Sequence, residues 1–175
     1  NSVTDHGGSV HILGGQANSA LGGNLSIISG KSNFSSSGNV MVGSADGISS
    51  GDIMIVSGNV SDGNSGHAFL STGHSSNGSG GNISLLVGSG INKDGGNIQL
   101  RSGMTNGSEN TGGSIVIESG TSSMSSSGNV HIKTANAGND GVSGSMLLST
   151  GTAKNGTTGN ISIATGPSLN GSSGS

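Results

Sequence analysis

Along this chain apolar residues fall in pairs two positions apart, and the pairs recur about every fifteen residues. The stretch Gly96-Asn97-Ile98-Gln99-Leu100-Arg101-Ser102-Gly103 is one copy; ten others begin at Gly8, Gly23, Gly38, Gly51, Gly66, Gly81, Gly113, Gly128, Gly144 and Gly159. The steps between copies are 15, 15, 13, 15, 15, 15, 17, 15, 16 and 15 residues. A fixed short period marks a repeat architecture, in which one unit cannot bury its apolar face alone. Counting each leading glycine as position zero, position two holds Val10, Leu25, Val40, Ile53, Ala68, Ile83, Ile98, Ile115, Val130, Met146 and Ile161. Position four holds Ile12, Ile27, Val42, Ile55, Leu70, Leu85, Leu100, Ile117, Ile132, Leu148 and Ile163. All are apolar and most are β-branched, the pattern of a strand with one face covered. No 3.6-residue period competes, so every segment reads as strand.

The rest of each repeat reads as connection. Position six is usually Ser or Thr, as in Ser29, Ser57, Ser102, Ser119, Thr72, Thr134, Thr150 and Thr165, and a glycine typically follows to turn the chain. Position nine stays small, as in Ala17, Ser32, Ser75, Thr105, Ser122 and Ala153, which suggests that it points inward across a thin coil. Asp62-Gly63, Asn77-Gly78, Asp94-Gly95, Asn106-Gly107 and Asn155-Gly156 supply turn chemistry.

The predicted fold is all-β: a parallel β-solenoid, or β-helix, of about eleven 15–16-residue rungs, uncapped at both ends. At ~4.8 Å per rung this is a rod roughly 50 Å long. Gly51 to Gly88 aligns with Gly128 to Gly166 at a shift of five repeats. An odd shift would swap the walls of a two-repeat coil, so one repeat per rung is expected. Residues 1–175 form a single repeat domain on this reading. Asn1-Ser2 matches positions eight and nine of a preceding repeat, and Gly174-Ser175 positions zero and one of a twelfth, so the chain reads as a window on a longer array. Asn24, Asn39, Asn82, Asn97, Asn129 and Asn160 recur at position one, where stacked amides would form an Asn ladder along the coil. On the opposite face, Met41, Met54, Phe69, Val56, Leu86, Ile28 and Leu147 make an outer column too apolar for a lone soluble rod. That marks an interface, with lateral or head-to-tail copies of the chain as the expected partner.

Composition narrows the functions. Thirty-seven glycines, 28% apolar and 7% charged residues would ordinarily suggest a flexible linker. The regular spacing of the apolar residues argues against it, and a net charge of −3 is too small for a self-repelling tail. With no Trp or Tyr, two Phe and five Lys+Arg, the chain lacks both stacking platforms and a phosphate-neutralising stripe, so nucleic acid is not an expected partner. No apolar run is long enough to span a membrane. The absence of cysteine leaves no disulfide frame and no thiolate metal site.

Chemistry is sparse. His67 and His74 share one repeat without a third ligand, so no metal is expected. Asp46, Asp62, Asp94 and Asp140 are spread singly, and no clustered carboxylates or nucleophile–base arrangement stands out. The chain is read as non-enzymatic, without a cofactor. Asn33, Asn59, Asn77, Asn106 and Asn155 open Asn-x-Ser/Thr acceptor sequences in turns and are candidate glycosylation sites if the protein is secreted; Asn24, Asn82, Asn160 and Asn170 open others.

The run Ser126-Ser127-Gly128-Asn129-Val130-His131-Ile132-Lys133-Thr134-Ala135-Asn136-Ala137-Gly138, with Gly141-Val142-Ser143-Gly144-Ser145-Met146-Leu147-Leu148-Ser149-Thr150-Gly151 after it, resembles the Gly/Ser/Asn-rich repeat arrays of secreted or cell-surface proteins of diatoms, oomycetes and other stramenopiles. The resemblance extends over essentially the whole chain and implies long arrays with an extracellular structural role. The chain departs from it in placing Met, Phe and Leu where such repeats are richer in Ser and Thr, and the family offers no catalytic residues. The expected function is a rigid segment of an extracellular filament, wall or flagellar-hair-like assembly. The alternatives are an ice-binding solenoid, which wants a flat Thr-rich outer face, and an adhesin or carbohydrate-binding stalk, whose partners would be glycans.

Overall fold

The computed structural model describes residues 7–174. The chain divides into two units, Asn1–Leu85 and Leu86–Ser175. Among the described residues there is neither helix nor strand; the backbone is irregular coil punctuated by turns. The expected parallel β-solenoid is therefore not the fold, and neither a β-helix nor a sheet of any other kind replaces it. Alternation of apolar and polar residues says which face of a segment wants cover, but a strand also needs a neighbour in register to accept its backbone hydrogen bonds. Here two aliphatics per repeat must offset the ordering of a chain rich in glycine, the residue that loses most freedom on folding. The repeats close locally instead of stacking.

The fifteen-residue period survives in that local closure. The first unit turns at 18–20, 33–35, 47–49, 61–63 and 76–78; the second turns at 91–93, 108–109, 123–125, 139–140, 154–156 and 169–171. Each repeat thus has one turn, about ten residues past its leading glycine. Around several of these the loop is closed by a backbone hydrogen bond from the leading glycine of one repeat to position seven of the repeat before it. In the first unit Gly23 N–H donates to the Gly15 carbonyl at 2.8 Å and Gly38 N–H to Gly30 at 3.0 Å. In the second, Gly113 N–H donates to Gly103 at 3.0 Å and Gly128 N–H to Gly120 at 2.9 Å.

Close approach to the preceding repeat accounts for some of the leading glycines. A Cβ on Gly38 would make only ordinary contact with Ser29 Cβ at 3.5 Å, but one on Gly81 would press on Thr72 Cγ2 at 3.3 Å and one on Gly96 would collide with Val87 Cγ1 at 2.7 Å. On Gly113 it would run into the Ser102 hydroxyl. In each case the facing side chain is position six of the preceding repeat. Ser102 also donates a hydrogen bond to the Ser114 carbonyl at 3.3 Å, tying the two ends of the loop again. Ser29, Ser102 and Ser119 are the only half-buried residues among those described, and each lies beneath one of these glycines. Gly113→Ala is accordingly expected to open its loop, costing about 1 kcal/mol for the lost hydrogen bond. Gly120→Ala, where a Cβ meets nothing within 4 Å, should leave the chain unchanged. Amide exchange at residue 113, compared between the two variants, checks this.

Two expectations about connection are corrected. The glycine after position six does not turn the chain through a left-handed conformation: among the described residues only Gly63 has that backbone, with φ of 98°. It follows Asp62 in a tight turn, where absence of a Cβ is what allows such a φ. Position nine does not point inward across a coil. Its hydroxyl turns back onto its own loop: Ser32 Oγ accepts from Phe34 N–H at 3.4 Å and Ser35 N–H at 3.0 Å. Ser122 Oγ accepts from Met124 N–H at 3.3 Å and Ser125 N–H at 2.9 Å. Ser75 accepts from Gly78 N–H and Thr105 from Gly107 N–H in the same manner, at 3.0 and 3.2 Å. A short hydroxyl side chain competes well for backbone donors two or three residues ahead, and this is why small polar residues collect there.

No described residue is buried. The alternation is still visible as a graded exposure. Position-two residues from Leu25 onward cluster near half exposure, from 50% at Ile83 to 58% at Leu25 and Ile98, whereas Met41 and Leu86 on the other face are about nine-tenths exposed. Ile98 and Leu100 were expected inside a core; both face solvent over more than half of their surface.

Candidate interaction surface

Two sets of side chains present themselves for contact. The first is the pair of columns carried by each repeat. Ile28, Met41, Met54, Val56, Phe69, Leu86 and Leu147, read from the sequence as an outer apolar face, are all strongly exposed. The inner columns, exemplified by Ile98, Ile115 and Val130, are about half exposed. Where the repeats starting at Gly96 and Gly113 meet, Leu100, Arg101 and Ser102 face Ser114 to Ile117 across a shallow, open concavity of about 450 Å³. The His67 and Phe69 rings, two residues apart, lie 5.7 Å centroid to centroid at 47°. That spacing is an ordinary tilted aromatic contact.

The second set was missed in the sequence. Phe34, Ile48, Ile91, Met124 and Leu169 stand in the turns, each 94% exposed or more. A signal for them existed: a large apolar residue amid Gly, Ser and Asn has no local reason to be there. In two of these turns the position-nine hydroxyl holds the backbone amide of the apolar residue itself, Ser32 that of Phe34 and Ser122 that of Met124. The turn is thereby shaped around an outward-facing anchor. The run Ser32-Asn33-Phe34-Ser35 and the run Ser122-Ser123-Met124-Ser125 make the same contacts in different units.

The asparagines divide by location. Asn33, Asn77 and Asn155 lie in turns, and Asn59 and Asn106 lie just before them, all exposed. Asn24, Asn39, Asn82, Asn97, Asn129 and Asn160, placed together as a ladder by the sequence, are exposed as well. Among the described residues no group of three or more His, Asp or Glu comes together as a metal site would require. No helix of the described residues is long and apolar enough to cross a membrane. Comparison with family models, with curated proteins and with solved structures finds no match for this chain.

Proposed function

We propose that this chain is a non-enzymatic structural segment of an extracellular or cell-surface assembly, a filament, wall or hair, that packs against further copies of itself. One observation carries the reading: the large apolar side chains recur about every fifteen residues, and among the described residues none is covered, the least exposed being Val87 at 46%. Apolar surface of that extent is unfavourable in water and is relieved by association. Copies of the same chain suit it best as partners, because an array meeting its own period matches every repeat at once. A net charge of −3 over 175 residues offers little repulsion between copies. The resemblance to stramenopile surface arrays points the same way, toward long repeats outside the cell.

Sedimentation velocity and negative-stain electron microscopy over a wide range of protein concentration test the proposal. Elongated particles whose mass grows with concentration are expected. A monomer that persists up to the solubility limit would overturn it.

A further inference from the structure

The turn chemistry carries a second, independent consequence. Asn77-Gly78 and Asn155-Gly156 occupy the same register, position eleven followed by position twelve, in the repeats that begin at Gly66 and Gly144. Both pairs sit in exposed turns, at 76–78 and 154–156. They differ at position nine, which is Ser75 in the first repeat and Ala153 in the second. Ser75 Oγ accepts the Gly78 N–H at 3.0 Å. Ala153 has no hydroxyl with which to hold Gly156. At Asn106-Gly107 the hold is present again, from Thr105 Oγ1 to Gly107 N–H at 3.2 Å.

An asparagine followed by glycine can cyclise with its own backbone. The glycine nitrogen gives up its proton to solvent base and attacks Cγ of the asparagine side chain. A C–N bond forms, the side-chain nitrogen leaves as ammonia, and a five-membered succinimide remains. Water then opens either carbonyl of the ring, yielding aspartate or isoaspartate, with no change of oxidation state. A hydrogen bond from the glycine N–H to a neighbouring hydroxyl opposes the first step twice. It stabilises the protonated amide, and it points the nitrogen back along the chain instead of toward Cγ. Glycine at the second place leaves the approach open, having no side chain.

We propose that Asn155 is a site of spontaneous succinimide formation and deamidation, selected over Asn77 and Asn106 because position nine of its repeat is Ala153. Conversion places a new negative charge in that turn. Where isoaspartate forms, it also inserts an extra carbon into the backbone at the turn. It abolishes the glycan acceptor Asn155-Gly156-Thr157 as well, so the age of the molecule is written into one repeat of the array. Asn170-Gly171 has Ser168 at the equivalent place, near the glycine but without the hydrogen bond, and an intermediate rate is expected there.

The test is peptide mapping by mass spectrometry of the purified full chain during incubation at mildly alkaline pH. Loss of Asn155 is expected to run about three- to tenfold faster than loss of Asn77, the factor conferred by one hydrogen bond of ordinary net strength. Reciprocal variants separate the hydroxyl from the differing neighbours Ser76 and Lys154: Ala153→Ser should slow Asn155, and Ser75→Ala should speed Asn77, each by that factor. Equal rates at Asn77 and Asn155, or rates that ignore both substitutions, would overturn the proposal. All these residues are exposed and none is held in a core, so the variants test the chemistry and not folding.

Discussion

Heated in dilute solution, the purified chain is expected to give a calorimetric trace without a cooperative peak. A compact domain of 175 residues would absorb about 120 kcal/mol at its midpoint, at roughly 0.7 kcal/mol per residue, with a heat-capacity step of about 2 kcal/mol/K. Both quantities come from burying surface, and here no described residue is buried. The sparse hydrogen bonds at the loop closures melt one by one, each worth too little to make a joint transition. Raised to concentrations at which copies associate, the same chain should acquire a peak, and its midpoint should climb with protein concentration, as mass action requires of a state stabilised by its partners. A full-sized peak in dilute solution, unmoved by concentration, would show that the chain builds its own core and would remove the ground for self-assembly.

The second large effect is expected from charge placed in the inner column. Ile98→Asp, Ile115→Asp and Val130→Asp together should leave the dilute chain as it is, since none of the three side chains is covered there. In the assembly the result differs. Covering what remains exposed of one such aliphatic contributes about 1 kcal/mol, and a carboxylate in its place adds a desolvation cost. Three substitutions therefore remove about 3 kcal/mol or more, raising the concentration needed for assembly at least about a hundredfold. The companion change on the other face, Leu86→Asp, Val116→Asp and Leu147→Asp, should act more weakly, because that column also carries Ser84, Gln99, Arg101 and His131. Ser123→Asp, in an exposed turn, serves as the control. Light scattering across a dilution series reads all three. An inner-column variant that assembles like the parent would assign the contact elsewhere, with the turn anchors Phe34 and Met124 the next place to look.

Much of the local structure was legible in the residues. The period placed a turn in every repeat, and the side-chain alternation predicted which face would be better shielded, a difference that persists between Ile83 or Ile98 on one side and Met41 or Leu86 on the other. Turn asparagines such as Asn33 and Asn155 lie where Gly- and Ser-rich sequence puts them. Other features were misread for an identifiable reason. Ser32 and Ser122 looked like small residues chosen for a narrow interior, because size is visible in a sequence and the direction of a hydroxyl is not. The leading glycines served only to mark where each copy begins. Only a residue nine to eleven positions earlier, such as Ser29 or Ser102, reveals that they are contact points.

By itself, then, the sequence determined what depends on nearest neighbours: the repeat, the turn in each copy, the apolar pairs, the small net charge and the exposed acceptor asparagines. The tertiary structure decided what depends on distant partners. Whether Ile98 stacks on Ile115 or faces water turns on a balance between the entropy of ordering some fifteen residues and the gain from two aliphatics and a ladder of hydrogen bonds, and that balance involves the neighbouring copy as much as the repeat itself. Here four of the loops close on the leading glycine of the following repeat, and the apolar columns are left exposed.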